Sequence, residues 1–282
     1  MDNKMQILIA VAVTAVICVA GTYVLVGEKN SNMSMTVTGS TTVQPLMVSF
    51  QEEFEKYSSI RLNVSGGGSS VGINNIADGI ADIGMSSRDL TAAELGKGLI
   101  PVSICRDAVV VIVDKDAGVT NLTLAQLAKI YSKEYTNWNQ VGGADLSINP
   151  IIREAGSGTR DCIDTIMGTV SGFSNGNYSG YSTQSTTGAM LAQASVVNGA
   201  IGYVNLGSIP DLTSAVNTVT IDGVMPSATS VLDGTYEISR TLLLVTRGQP
   251  GYAETFFFNW ILSPQGQKIV EKEGFVPIGP TA

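Results

Sequence analysis

Residues 60–78 read IRLNVSGGGSSVGINNIAD: Ile60 to Val64 is a β-prone run, Gly66 to Gly72 a glycine and serine turn, and Ile73 to Asp78 a helix. This order of strand, small-residue turn and helix decides the fold because it recurs. Upstream, Thr36 to Thr38 runs into Gly39-Ser-Thr-Thr42, after which Leu46, Phe50, Phe54 and Tyr57 fall at helical spacing behind Pro45, a proline suited to a first helical turn. Downstream, Ala81 to Met85 ends in Ser86-Ser87-Arg88, and Ile148 to Ile152 feeds Arg153-Glu-Ala-Gly-Ser-Gly-Thr159 and a helix over Asp161 to Met167. Pro150 cannot donate to a ladder and belongs at a strand's start or edge. Ala108 to Val113, AVVVIV, is the continuous apolar run of a strand covered on both faces. Alternating strands and helices predict an α/β architecture with largely parallel sheets.

The rest of the chain fits that frame. Leu242 to Val245 reads as a strand and Tyr252 to Leu262 as a core-facing helix, with Phe256 to Phe258 and Trp260 as core aromatics. Ser263-Pro264 starts a last helix that stops at Gly274, in the order cap, proline, helix, glycine. Ser171 to Gly188, dense in serine, glycine, asparagine and threonine, reads as a solvated loop. About 250 residues with several buried runs fit two α/β lobes better than one.

Composition narrows the chemistry. The chain of 282 residues is 44% hydrophobic and 14% charged, a globular balance, and contains no histidine. The commonest general base and the commonest transition-metal ligand are therefore missing. Cys18, Cys105 and Cys162 are too few for a four-cysteine zinc site, so neither metal nor cofactor is expected. Gly68-Ser-Ser-Val-Gly72 matches the G-x-S-x-G pattern of a serine hydrolase, but Ser70 has no histidine to take its proton. A formal charge of −8 argues against nucleic acid as partner.

The four turns share one design. Helix N-termini present unpaired N–H groups and the positive end of a dipole, glycine lets the backbone approach a ligand, and hydroxyls add donors. None spells the nucleotide P-loop. Arg153 adds a planar fork that pairs with an oxyanion or, in a structural role, with Glu154 or Asp161.

At the N-terminus, Gln6 to Val26 carries no charge and precedes the polar run GEKNSNMS. At about 1.5 Å per helical residue it covers roughly 30 Å, the hydrocarbon thickness of a bilayer. It reads as a membrane anchor or a cleaved signal helix, residues 1–30, which puts the rest outside the cell. There Cys105 and Cys162 either pair as a disulfide or remain two buried thiols.

TVTGSTTVQPL, VSGGGSSVGI, ADIGMSSRDL, YTNWNQVGG, REAGSGTRD, GAIGYVNLG and the terminal SPQGQKIVEKEGFVPI, in this order, carry a resemblance. From Thr36 to Pro280 the chain resembles the phosphate-binding proteins of the phosphate ABC transporter. The resemblance implies a two-lobe periplasmic-binding-protein fold of type II kind with a two-strand hinge. Lobe I would comprise 31–104 and 239–282, and lobe II 105–238. It implies inorganic phosphate as ligand, held by Thr41, Thr42, Ser69 with the neighbouring Ser70, Ser87, Arg153, Ser157, Gly158 and Thr159. It also implies ABC permease subunits as partners, a monomeric receptor and no reaction. Two positions depart from the family: Ser87 stands where well-known members carry an aspartate, and Ala155 where some carry an acid that orients the arginine. Another oxyanion such as sulfate, molybdate or tungstate therefore stays open, as does a sensor role. Arg88 either points into the cleft or pairs with Asp89.

Overall fold

The computed structural model of the protein describes residues 33–173 and 178–281, and the expected anchor or signal helix lies outside them. In chain order the first elements are β1 (Ser34–Gly39), α1 (Gln44–Tyr57), β2 (Arg61–Ser65), α2 (Ser69–Ala77), β3 (Ile83–Ser86), α3 (Ala92–Leu95) and β4 (Leu99–Asp114). The middle of the chain forms β5 (Asn121–Leu122), α4 (Leu124–Tyr131), β6 (Asn149–Arg153), α5 (Gly158–Met167), β7 (Ser182–Gln184), α6 (Thr187–Ala194) and β8 (Ala200–Asn205). Then follow β9 (Val216–Thr218), β10 (Thr220–Ile221), α7 (Ala228–Leu232), β11 (Ser239–Arg247), α8 (Tyr252–Ile261) and α9 (Pro264–Lys272).

One sheet runs through both lobes in the order β2-β1-β3-β11-β4-β8-β6-β7, with β9 beside β4. β1 pairs in parallel with β2 and β3, and β6 with β8 and β7, as strand–turn–helix units demand. β11 runs antiparallel to β3 and β4, and β8 antiparallel to β4. The two strands β4 and β11 carry the chain from one lobe to the other and form the hinge.

β4 is longer than the apolar run Ala108 to Val113 suggests. Its first part, LIPVSICRD, alternates between buried and open positions beside β11, and its second part is buried throughout. The change of pattern marks where the strand leaves one core for the other. Ile104 and Cys105 pack with Phe50, Phe54, Phe257 and Trp260, under α1, α8 and α9. Ala108 to Val113 pack with Leu127, Trp138, Ile163 and Met190 in the second lobe. Phe257, Phe258 and Trp260 are core residues as their sequence implies, whereas Phe256 is only half-buried and stacks with Tyr57 and Tyr252. Ser263 caps α9 ahead of Pro264, and Gly274 follows it at φ +78°.

The local signals also place the turns. Gly68, with φ +95°, is the residue before α2, so this helix starts at Ser69 rather than at Ile73. Such a backbone angle strains any residue with a side chain. Ser69 and Ser70 thus occupy the first helical turn, where backbone N–H groups have no intrahelical acceptor. Cys105 and Cys162 are separate free thiols, so of the two alternatives the disulfide is not formed. The first is fully buried in one core and the second packs against the other.

Candidate functional site

The four turns meet where the lobes face each other. From the first lobe come Ser40, Thr41 and Thr42 after β1, Ser69 at the start of α2, and Ser87 after β3; all five are nearly or fully buried. Ser40 Oγ donates to Ser87 Oγ at 3.0 Å, and the backbone N–H of Ser87 donates to Ser69 Oγ at 3.0 Å. The Ser69 and Ser87 hydroxyls lie 3.2 Å apart. Three turns are thereby locked into one cluster of hydroxyl groups.

The second lobe supplies β6 and the N-terminus of α5. Ser157 caps α5, its Oγ accepting from the N–H of Arg160. Thr159 Oγ1 lies 2.9 Å from Thr42 Oγ1 across the cleft. Gly158 lies against the first lobe so closely that a Cβ there would meet Ser69 Oγ at 2.4 Å and Ser87 Oγ at 2.6 Å. Nearly all the residues singled out by sequence therefore converge.

Arg153 ends β6 with only 2% of its surface exposed. Its Nη2 donates to Thr41 Oγ1 at 3.0 Å, again across the cleft. Its Nε and Nη2 donate to Glu154 Oε2 and Oε1 at 2.8 and 2.9 Å, a two-point pair that fixes the guanidinium plane. Further acceptors are Thr187 Oγ1 and the carbonyl of Gln184. A buried guanidinium is tolerated only with partners of this kind.

Some expectations need correction. Ser70 stands beside the cluster but its groups have other partners: its N–H donates to the Gly156 carbonyl at 3.1 Å, and its Oγ accepts from Arg88 Nη2 at 3.3 Å. The N–H of Thr42 is likewise directed to Ser40 Oγ at 3.2 Å. Ser171 to Gly188 is not solvated loop throughout, because β7 and the first turn of α6 supply the acceptors around Arg153. Of the two roles expected of Arg88, the pairing with Asp89 is the one that fails: its guanidinium turns into the cleft, pairs with Glu94 and, across the cleft, with Asp161, and reaches only the backbone oxygen of Asp89. Ser40, Glu154, Gln184 and Thr187 escaped the sequence reading as site residues. Two of them left a signal: Ser40 as a member of the Gly39-Ser-Thr-Thr42 turn, and Glu154 as a neighbour able to pair with Arg153.

Chemically the hydroxyl cluster offers hydrogen-bond donors and, at Arg153, a fixed cation. Ser70 Oγ faces a guanidinium, which cannot accept a proton. Among the described residues no group of three or more carboxylates and thiols is placed to hold a metal ion. Glu94, outside the hydroxyl cluster, is held at about 2 by its hydrogen bonds from Arg88, against the opposing effect of burial.

Comparison with known proteins gives a consistent result. The PBP superfamily domain matches residues 26–265. The chain is 30% identical over 262 residues to the phosphate-binding protein PstS of Borreliella burgdorferi, covering 89% of this chain and 92% of that one. PstS of Bacillus subtilis is 29% identical over 258 residues, covering 89% and 83%. Among solved structures, a phosphate ABC transporter substrate-binding protein of Clostridium perfringens with bound phosphate superposes at a TM-score of 0.80. It is 34% identical and covers 87% of this chain and 99% of its own.

Proposed function

This chain belongs to the PBP superfamily, and from that premise we propose that it captures inorganic phosphate between its two lobes and delivers it to the permease of an ABC transporter. The observation that carries the reading is the meeting of Arg153, Thr41, Thr42 and Thr159 across the cleft, with Ser69, Ser87 and Gly158 beside them. These are neutral donors around one oriented cation, the equipment of an oxyanion receptor. Thr41, Thr42, Ser69, Ser87, Arg153, Ser157, Gly158 and Thr159 are its ligand residues, and Glu154 orients Arg153 in place of the acid missing at Ala155. The chain passes from one lobe to the other on β4, between Cys105 and Ala108, and returns just after Ile238.

The protein carries out no reaction: the Ser70 hydroxyl is engaged by the Arg88 guanidinium, which cannot take its proton. It works outside the cytoplasm as a monomer, tethered by the apolar segment Gln6 to Val26 or released by its cleavage. A second reading, another tetrahedral oxyanion such as sulfate, is favoured by the serine at position 87, which leaves the hydroxyl cluster without a carboxylate of its own. Titration of the protein with phosphate, sulfate and molybdate by calorimetry tests both readings. Phosphate binding in the micromolar range or tighter is expected, and none below millimolar would overturn the function.

A further inference from the structure

Arg88 ends one of the four turns, yet its guanidinium is engaged away from the hydroxyl cluster. Its Nη1 and Nη2 donate to Glu94 Oε2 and Oε1 at 2.9 and 2.8 Å, a bidentate pair within the first lobe. Nη2 also reaches Ser70 Oγ at 3.3 Å. The remaining edge faces the second lobe, where Nε lies 3.0 Å from Asp161 Oδ2. The Nε–H is not aligned on that oxygen, so the contact is charge pairing rather than a hydrogen bond. Asp161 stands in the first turn of α5, two residues after Thr159 of the Ser157-Gly158-Thr159 segment that enters the anion site.

We propose that Arg88 is a closure residue: held ready by Glu94, it grips Asp161 and stabilises the closed arrangement of the lobes without touching the anion. Most arginine–carboxylate pairs at a surface are worth at most about 1 kcal/mol, because a long side chain must be immobilised to form them. Here that cost is met in advance. Glu94 belongs to the same lobe as Arg88 and is itself fixed, its Oε2 accepting from the N–H of Thr91 at 2.8 Å. Arg88 is thus presented to Asp161 in one orientation whether the lobes are open or shut. An opposing effect limits the grip, since burial pushes the Asp161 carboxyl above its ordinary value despite the pull of Arg88.

The Thr42–Thr159 and Arg153–Thr41 contacts also cross the cleft, but they are made by residues of the anion site. Arg88–Asp161 is separable from them. A pair of this kind acts on affinity through the fraction of protein already closed, because apparent affinity scales with the population competent to hold the ligand.

The inference rests on the phosphate-receptor reading for its binding assay. With the full chain, phosphate affinity and release rate are measured for the wild type, Arg88→Met, Asp161→Asn and the double variant, and small-angle scattering compares the phosphate-free proteins. Arg88→Met should weaken phosphate binding by about three- to tenfold, with faster release and unchanged capture. Asp161→Asn alters a side chain 40% exposed, so it is expected to fold as the wild type does, and should weaken binding by about two- to fivefold. The double variant should be no worse than Arg88→Met, and the phosphate-free variants should scatter as more open particles. Unchanged binding in both single variants, or losses that simply multiply in the double variant, would overturn the proposal. A wild type that ignores phosphate overturns the functional reading instead; identical phosphate-free scattering of wild type and variants then overturns the closure role on its own.

Discussion

A methyl group on Gly158, in the second lobe, would stand 2.4 Å from the hydroxyl oxygen of Ser69, in the first. The pair shows how closely the two lobes approach each other at the site. Gly158 is not in the left-handed region, so its backbone accepts alanine readily. Only the facing lobe forbids it. Gly158→Ala is therefore expected to lower phosphate affinity by more than about 100-fold while leaving the melting temperature of the phosphate-free protein within a few degrees. Calorimetry and thermal melts separate the two effects.

Gly72 supplies the contrast. A Cβ there would meet the Thr38 carbonyl oxygen at 2.6 Å and Gly39 Cα at 2.8 Å, all within the first lobe, where no hinge can relieve the clash. Gly72→Ala should destabilise the protein by roughly 1–3 kcal/mol. Denaturant melts of the phosphate-free protein check it, and an unchanged midpoint would show that α2 can lift from the sheet.

Arg153→Lys keeps a charge but loses the fork. Lysine cannot engage both oxygens of Glu154, Thr41 and Thr187 at once, so Glu154 is left partly unsatisfied beside the cleft. Binding should fall by about 100-fold, near 3 kcal/mol. A lysine variant that binds within twofold of wild type would mean that charge alone suffices.

Stability should depend on pH through Glu94. Its carboxyl is held at about 2 by hydrogen bonds from Arg88, against an ordinary value of 4.5. A carboxylate depressed on folding contributes stability above its unfolded value, and that stability is lost as pH falls from about 4.5 towards 2. Asp107, Asp161 and Asp164, pushed up mainly by burial, act in the opposite direction. The informative quantity is hence the difference between wild type and Glu94→Gln. It should be largest near neutral pH and shrink on acidification through that window; a difference independent of pH would refute it.

The two described thiols should be inert in the folded protein. Burial pushes Cys162 up to about 11 and Cys105 well above its ordinary value, so almost no thiolate exists near neutrality. Alkylation of Cys105 should require denaturation, that of the half-buried Cys162 should be slow for want of thiolate, and a reductant should not move the melting curve. Rapid labelling of either at pH 8 would contradict their placement.

Much of this was legible in the sequence. The repeated strand, small-residue turn and helix gave parallel pairing of β1 with β2 and β3 and brought Thr41, Ser69, Ser87 and Thr159 to one end of their elements. A parallel sheet places such turns along one edge whatever the details of packing. The lack of histidine turned Ser70 from nucleophile to bystander. The residues around Arg153 were harder to see: Gln184 and Thr187 contribute a backbone carbonyl and an N-terminal hydroxyl of α6, groups that nothing in a polar stretch distinguishes from those of a solvated loop.

What the sequence could not decide was partnership among charges. Arg88 has Asp89 beside it and Glu94 six residues on, while Asp161 lies far along the chain; Arg153 has Glu154 beside it. Chain proximity favours the neighbour in both cases. The structure grants it to Arg153, where Glu154 folds back onto the guanidinium, and denies it to Arg88, whose pair lies with Glu94 and across the cleft. The physical reason is directional. Elements follow from local periodicity and turn chemistry, but an ion pair forms where two side chains point at each other with water excluded, and only the closed packing of two lobes fixes those directions.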